Sequence, residues 1–470
     1  MKRWLLRLLC VCGVVLTLMC VTGLLAWALV GSPPKGIASA FSRRLGVPVS
    51  VGEARFDFAS FLLLRPTISL REVAVGNLLT ATRISARIAL LPLAGRRIEI
   101  SSILVDTPLI VIARDARDRT NLESLLKKLS SPPPLPTGSH PAAVPKAALA
   151  LDIDDFQISG GDVLILGANP RDPPQRIGAL NVHVRNLSAG TNCRLELSAR
   201  FSGQGELDFR VEGRAGPFGP QVLPIRGKLM LTTVPRGLFG MLFAAPGARA
   251  KAILEASIQG DLYNNVAGPA RLTLSGLAIG SDAAHTVPMD GDAPALFSVQ
   301  KPLSAPAFHL QVLHAKLRLG QGEWAGAADF QVRGQTLSGA SRGSVRGVDV
   351  SALLGGGWIH GVLDVPTYTV RFAGKTVDGT ARLSLNNGRI PMLGQLGSIE
   401  RPFRALTCDL SVKQERLDLS AIAFDSTELQ LTGSGTIGFD RSIHFDLSAG
   451  AAEKPMVLDG TLDRPQIRRP

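Results

Sequence analysis

Tyrosine occurs only twice in 470 residues and cysteine five times. A groove for single-stranded nucleic acid needs stacking rings, so the formal charge of +13 is not read as a nucleic-acid signal. Three cysteines (Cys10, Cys12 and Cys20) fall in one uncharged run, which leaves Cys193 and Cys408, 215 positions apart. That pair allows one bridge, but neither a disulfide framework nor a zinc site. The seven histidines are scattered, and His309 and His314, five apart on an alternating stretch, would point to opposite faces of a strand. No H-E-x-x-H, G-x-S-x-G or P-loop is present. Asp152, Asp154 and Asp155 read as a solvated strand end, and Gly355-Gly356-Gly357 before Trp358 reads as a turn. No catalytic residue, metal or cofactor is assigned, and the chain is not expected to be an enzyme.

What the sequence does have is one long apolar run. Leu8 to Val30 is 23 residues without a charge, preceded by Lys2, Arg3 and Arg7 and followed by Gly31-Ser32-Pro33-Pro34. About 20 apolar residues match the hydrocarbon core as a helix, and basic residues hold the leading end in the cytoplasm. A cleaved signal peptide is the rival reading, with Ala26-Trp27-Ala28 as its site. The run exceeds the usual h-region of about 7 to 15 residues, and Trp27 stands where an interfacial anchor belongs. Met19 before Cys20 argues against a lipoprotein. The expectation is a retained anchor over 1–34, with the rest of the chain exported.

The charge gathers beside this run. Residues 32 to 100 carry ten basic residues against four acidic ones. Anionic head groups attract juxtamembrane Lys and Arg, although 39 Arg to 12 Lys is equally compatible with a codon bias. Pro34 to Leu45 reads as a short amphipathic helix. From Val49 the apolar period becomes two: Val49, Val51; Ile68, Leu70; Val73, Val75; Ile84, Ala86, Ile88; Ile110, Ile112. Such alternation, broken every 8 to 12 residues by turn formers, predicts antiparallel strands with one apolar face. One helix is expected from Asn121, as N-cap, to Leu129, and another short one near Pro235 to Phe243. Pro132, Pro133, Pro134, Pro136, Pro141 and Pro145 mark a stiff spacer over 130–146. Alternation then resumes and continues nearly to the end, with many strands expected to begin after glycines such as Gly227, Gly268, Gly326, Gly379 and Gly435.

Two stretches resemble the AsmA family of bacterial envelope proteins. The first runs through Gly46-Val47-Pro48-Val49, Arg83-Ile84-Ser85-Ala86-Arg87, Leu104-Val105-Asp106-Thr107-Pro108, Arg114-Asp115 and Asn121-Leu122. It departs from the family pattern at Asp118, where glycine is usual. The second runs through Gly379-Thr380-Ala381-Arg382-Leu383-Ser384-Leu385, Asn387-Gly388-Arg389-Ile390, Leu429 to Ile437 and Leu458 to Pro465. These are structural glycines and alternations, so they speak for a scaffold more than for a mechanism.

The expected fold is therefore mainly β: one N-terminal transmembrane helix followed by a long, curved antiparallel sheet forming an apolar groove, with few short helices. The expected division is an anchor (1–34), an AsmA-like N-terminal β region (35–129), a Pro-rich linker or loop (130–146), a repetitive β-groove body (147–350) and an AsmA-like C-terminal β region (351–470). The resemblance implies an inner-membrane-anchored periplasmic protein that shields lipid acyl chains and contributes to phospholipid transport or lipid homeostasis toward the outer membrane. Its expected partners are phospholipid, the inner membrane and outer-membrane or envelope proteins, with no nucleic acid. The alternative is a structural or assembly factor for outer-membrane biogenesis that carries no lipid. Alternation marks Leu383, Leu385, Leu417, Leu419, Leu429, Leu431, Ile437, Phe439, Phe445 and Leu447 as candidate lipid-binding residues.

Overall fold

The computed structural model describes residues 36, 38–39, 42–43, 46–57, 60, 64–92, 97–113, 121, 150–167, 174–188, 191–202, 206–217, 222–234, 251–280, 286–301, 307–333, 336–354, 359–374, 376–394, 397–413, 416–438, 440, 442–449, 456–461 and 464–468. The predicted anchor, the spacer, most of the helix from Asn121 and the segment 235–243 lie outside these residues. No helix among the described residues is long and apolar enough to cross a membrane. The chain divides into two compact units, residues 1–203 with 214–219, and residues 204–213 with 220–470.

In the first unit, β1 (Val49–Asp57), β2 (Thr67–Val75) and β3 (Leu79–Ala89) form an antiparallel meander. Next come β4 (Arg97–Asp106) and β5 (Leu109–Ala113), both antiparallel to β3. The sheet is antiparallel, as expected, except here: β6 (Ala150–Leu166) runs parallel to β4 and to β5. Two parallel neighbours cannot be joined by a hairpin, and 36 residues separate Ala113 from Ala150. Beyond β6, β7 (Gln175–Ser188) and β8 (Cys193–Ser202) restore the antiparallel order.

Asn121, the first residue of the expected helix, is helical and its side chain reaches back to β5. Its Oδ1 accepts the Ala113 N–H at 3.1 Å and its Nδ2 donates to the Val111 carbonyl at 2.8 Å. A carboxamide carries the same donor and acceptor as a peptide group, so this side chain stands in for a strand partner along the end of β5.

The second unit is sequential. Its strands are β9 (Glu206–Ala215), β10 (Pro224–Val234), β11 (Lys251–Asp261), β12 (Asn265–Gly280), β13 (Thr286–Gln300), β14 (Ala307–Leu319), β15 (Gly322–Arg333) and β16 (Thr336–Asp349). A five-residue helix, α1 (Val350–Leu354), follows. The series resumes with β17 (His360–Ala373), β18 (Thr376–Gly394), β19 (Gly397–Lys413), β20 (Arg416–Asp425), β21 (Gln430–Gly438), β22 (Ser442–Ser448), β23 (Met456–Thr461) and β24 (Arg464–Arg468). From β10 onward each strand pairs antiparallel with the next, and β16 and β17 remain paired across α1. Gly227, Gly268, Gly326, Gly379 and Gly435 lie inside strands and do not mark where strands begin.

Strands this long are interrupted by β-bulges, and the sequence keeps its phase across them. Register shifts fall between Leu274 and Leu277, Val345 and Val348, and Leu419 and Ile422. An extra residue would turn every following side chain to the other face; apolar spacing of three in place of two cancels that turn. Each shift contains a residue in the left-handed region, namely Gly276 (φ 61°), Gly347 (φ 70°) and Ala421 (φ 50°). Glycine adopts that region without penalty, whereas a Cβ costs about 1 to 2 kcal/mol there. Gly347→Ala should therefore lower stability by about 1 kcal/mol in urea unfolding, while Ala421→Gly should leave it unchanged or raise it.

Candidate functional site

The registers of the second unit can be followed strand by strand, and they connect one apolar face. On β11 to β13 it carries Leu254, Ala256, Leu272, Leu274, Ala293 and Phe297. Leu310, Val312, Leu317, Ala328 and Phe330 continue it on β14 and β15. Leu363, Val370 and Phe372 on β17 lead to Leu383 and Leu385 on β18. Leu385 pairs with Leu406, Leu406 with Phe424, and Phe424 with Leu431. Leu417 pairs with Ile437 and Ile437 with Ile443, while Phe445 and Leu447 pair with Leu458 and Met456.

Eight of the ten sequence-selected residues thus stand on one face: Leu383, Leu385, Leu417, Leu419, Leu431, Ile437, Phe445 and Leu447. Leu429 precedes β21 and packs with the same cluster, which includes Leu385, Phe403, Phe424 and Leu431. Phe439 lies outside the described residues. Leu385 and Leu431 are buried, and the others among the nine are half-buried. The interleaved Asp418, Gln430, Gly438 and Asp446 take the opposite side, where they pair with Ser411, Asp425, Arg416 and Ser434 or Val457.

Close packing on this face depends on residues without side chains. Gly339 on β16 lies between Phe330 and Phe372, whose ring centroids are 6.0 Å apart; a Cβ there would come within 2.7 Å of Phe372. Gly435 lies under Phe445 in the same way, with 2.1 Å for a Cβ. The short helix α1 rests on the face at one rim and contacts β12, β13 and β17. Val348, just before it, is fully buried with Val287 and Leu319.

Of the described residues on this face of β15, β16 and β17, three carry a side-chain nitrogen or oxygen: Trp324, Ser341 and Tyr368. Trp324 Nε1 donates to Tyr368 Oη at 2.5 Å, and Ser341 Oγ is 2.8 Å from the same oxygen. Sequence reasoning passed over this cluster. The alternation Tyr368, Val370, Phe372 did place the tyrosine on the apolar side, but its partners come from strands 27 and 44 residues earlier.

The opposite face is polar. Arg318 pairs with Asp290 at 3.1 Å, Arg382 with Asp409 at 2.8 Å, His309 with Asp329 at 2.9 Å and His444 with Asp459 at 2.5 Å. Exposed pairs of this kind add little stability and chiefly keep the surface wet. The guanidinium of Arg382 holds the Asp409 carboxyl below its ordinary range. The Gly276 N–H, then Arg318, do the same for Asp290. His309 and His314 are on the same, polar side, since the bulge between Val312 and Ala315 removes the expected half-turn. In the first unit Asp155 accepts from Gln157 at 2.9 Å and faces His183 Nε2 at 2.6 Å. Cys193 and Cys408 are buried and free, and burial raises both thiol pKa values.

No protein-family model, curated protein or solved structure matches the chain.

His444 generates a test of the register between β22 and β23. Its hydrogen bond with Asp459, helped by the charges of Asp459 and Asp446, raises its pKa above the ordinary imidazole value of 6.5. The folded state thus holds the proton more tightly, so this contact contributes fully below that value and is lost as pH rises through the folded pKa. An NMR titration should place His444 above 6.5, and Asp459→Asn should bring it down.

Proposed function

We propose that the apolar face of the second unit shields lipid acyl chains, and that the chain is an AsmA-like periplasmic protein held in the inner membrane by Leu8 to Val30. On this reading it contributes to phospholipid transport or lipid homeostasis toward the outer membrane. The observation that carries the proposal is the continuity of the face, on which apolar side chains stay in phase from β11 to β23 through every bulge. A core needs only enough apolar residues to fill it, whereas a surface along which a chain molecule moves needs them at every step. Each methylene kept from water is worth about 0.8 kcal/mol, so ten contribute about 8 kcal/mol without covalent chemistry. Half-buried Leu383, Leu417, Leu419, Ile437, Phe445 and Leu447 supply such a surface, and a head group can remain in solvent.

A second reading has an observation of its own. Leu385, Phe403, Phe424 and Leu431 are between 4 % and 9 % exposed, which is the packing of an ordinary core. On that reading the protein is a structural or assembly factor of outer-membrane biogenesis and carries no lipid.

Two experiments test the proposal. A photo-crosslinking residue at half-buried Leu419 should give lipid adducts and one at exposed Gln430 few, with mass spectrometry of co-purifying lipid as the readout. Equal labelling, or none at either site in folded protein, would favour the second reading. Separately, the mature protein should keep Met1 to Pro34 and fractionate with the inner membrane, and a mature N-terminus at Leu29 would refute the anchor.

A further inference from the structure

Trp324, Ser341 and Tyr368 interrupt the apolar face of β15 to β17, and one of their hydrogens has at best a long hydrogen bond within the protein. The indole N–H is committed to Tyr368 Oη. The two hydroxyls lie 2.8 Å apart and only one can donate to the other. One hydroxyl hydrogen is left over. If it belongs to Ser341, its acceptor is the Ala327 carbonyl at 3.5 Å, the outer limit of a hydrogen bond; if it belongs to Tyr368, the described residues offer no further acceptor. All three side chains are half-buried, so the cluster is within reach of water in the free protein.

An acyl chain lying along the face would expel that water. A donor left unpaired against hydrocarbon opposes binding, whereas a ligand that brings an oxygen to this point avoids the penalty. The surroundings narrow the chemistry of that oxygen. A carboxylate would need a cation, and no described residue on this face of β15 to β18 carries one. An alcohol would bring a second donor to a site that already has one too many. An ester carbonyl accepts and does not donate. Tyr368 is registered against Gly343 and Gly343 against Gly326, and the Trp324 indole lies over Gly326, 2.9 Å from where a Cβ would stand, so these two positions without side chains let the ring reach the phenol.

We propose that this cluster is a subsite for the ester carbonyl of a diacyl glycerophospholipid, with the Tyr368 O–H as donor and Trp324 and Ser341 holding the phenol in place. The inference rests on the acyl-shielding reading and adds the chemical class of ligand. It makes the face selective: ester-linked chains are held at one point along it, and ether-linked chains are not.

The test compares two phospholipids with the same head group and chain length, one diester and one diether, competing for the full-length chain against a fluorescent lipid. The wild type should prefer the diester by about fivefold to tenfold, the span of one buried hydrogen bond. Tyr368→Phe keeps the ring and should abolish the preference, while Ser341→Ala should reduce it; circular dichroism checks that each variant is folded. Equal affinity of the wild type for the two lipids would overturn the subsite, as would a preference that survives Tyr368→Phe. Should that variant fail to fold, the wild-type comparison and Ser341→Ala still decide. Failure of the wild type to bind either lipid would remove the acyl-shielding reading itself, a result distinct from equal binding.

Discussion

Phase is the constraint on which this structure depends. In a strand, successive side chains alternate between faces, so one residue gained or lost sends all later ones to the wrong side. The second unit keeps a single apolar face through strands of up to 19 residues, and does so with bulges in several of them. The apolar residues shift from a spacing of two to a spacing of three where the backbone inserts its extra residue. Turn geometry, glycine placement and the cross-strand ion pairs all follow from that agreement.

An amphipathic sheet leaves one face to be covered. Here part of the covering comes from the unit itself: α1 sits over β12, β13 and β17, and Phe403 packs against Phe424 at 5.4 Å between ring centroids. Part is left half-buried toward the C-terminal strands. Apolar surface in that condition is favourable to cover, and on the proposed reading a lipid chain covers it. On the same proposed reading, the polar cluster on β15, β16 and β17 would hold that chain at one point.

Much of this was legible in the sequence, because period two is a property of the backbone and needs no knowledge of neighbours. The face containing Leu383, Leu385, Leu417, Leu419, Leu431, Ile437, Phe445 and Leu447 follows from alternation alone. Where the reading failed, the missing information was non-local. Parallel pairing of β6 with β4 and β5 depends on a return path that the pattern of either strand does not encode. Asn121 favours a helix start on its own chemistry, but its two hydrogen bonds to β5 could not be foreseen from the local sequence. His314 was assigned to the wrong side because a bulge lies between it and His309, and only the spacing of Val312 and Ala315 betrays it. The Trp324, Ser341 and Tyr368 cluster is assembled across three strands and has no signature in any one of them.

The sequential pairing from β10 to β24 also governs how such a chain can change length. Each strand touches its two neighbours and little else, so stability accumulates locally and folding need not wait for distant segments to meet. Insertion or loss of a whole hairpin preserves both the direction of the following strands and the side to which their apolar residues point. Loss of a single strand reverses the direction of everything after it. Growth of the apolar strip is therefore quantised in pairs of strands, about 9.6 Å at a time, and its reach can be adjusted by duplication or deletion of hairpins without redesign of what remains.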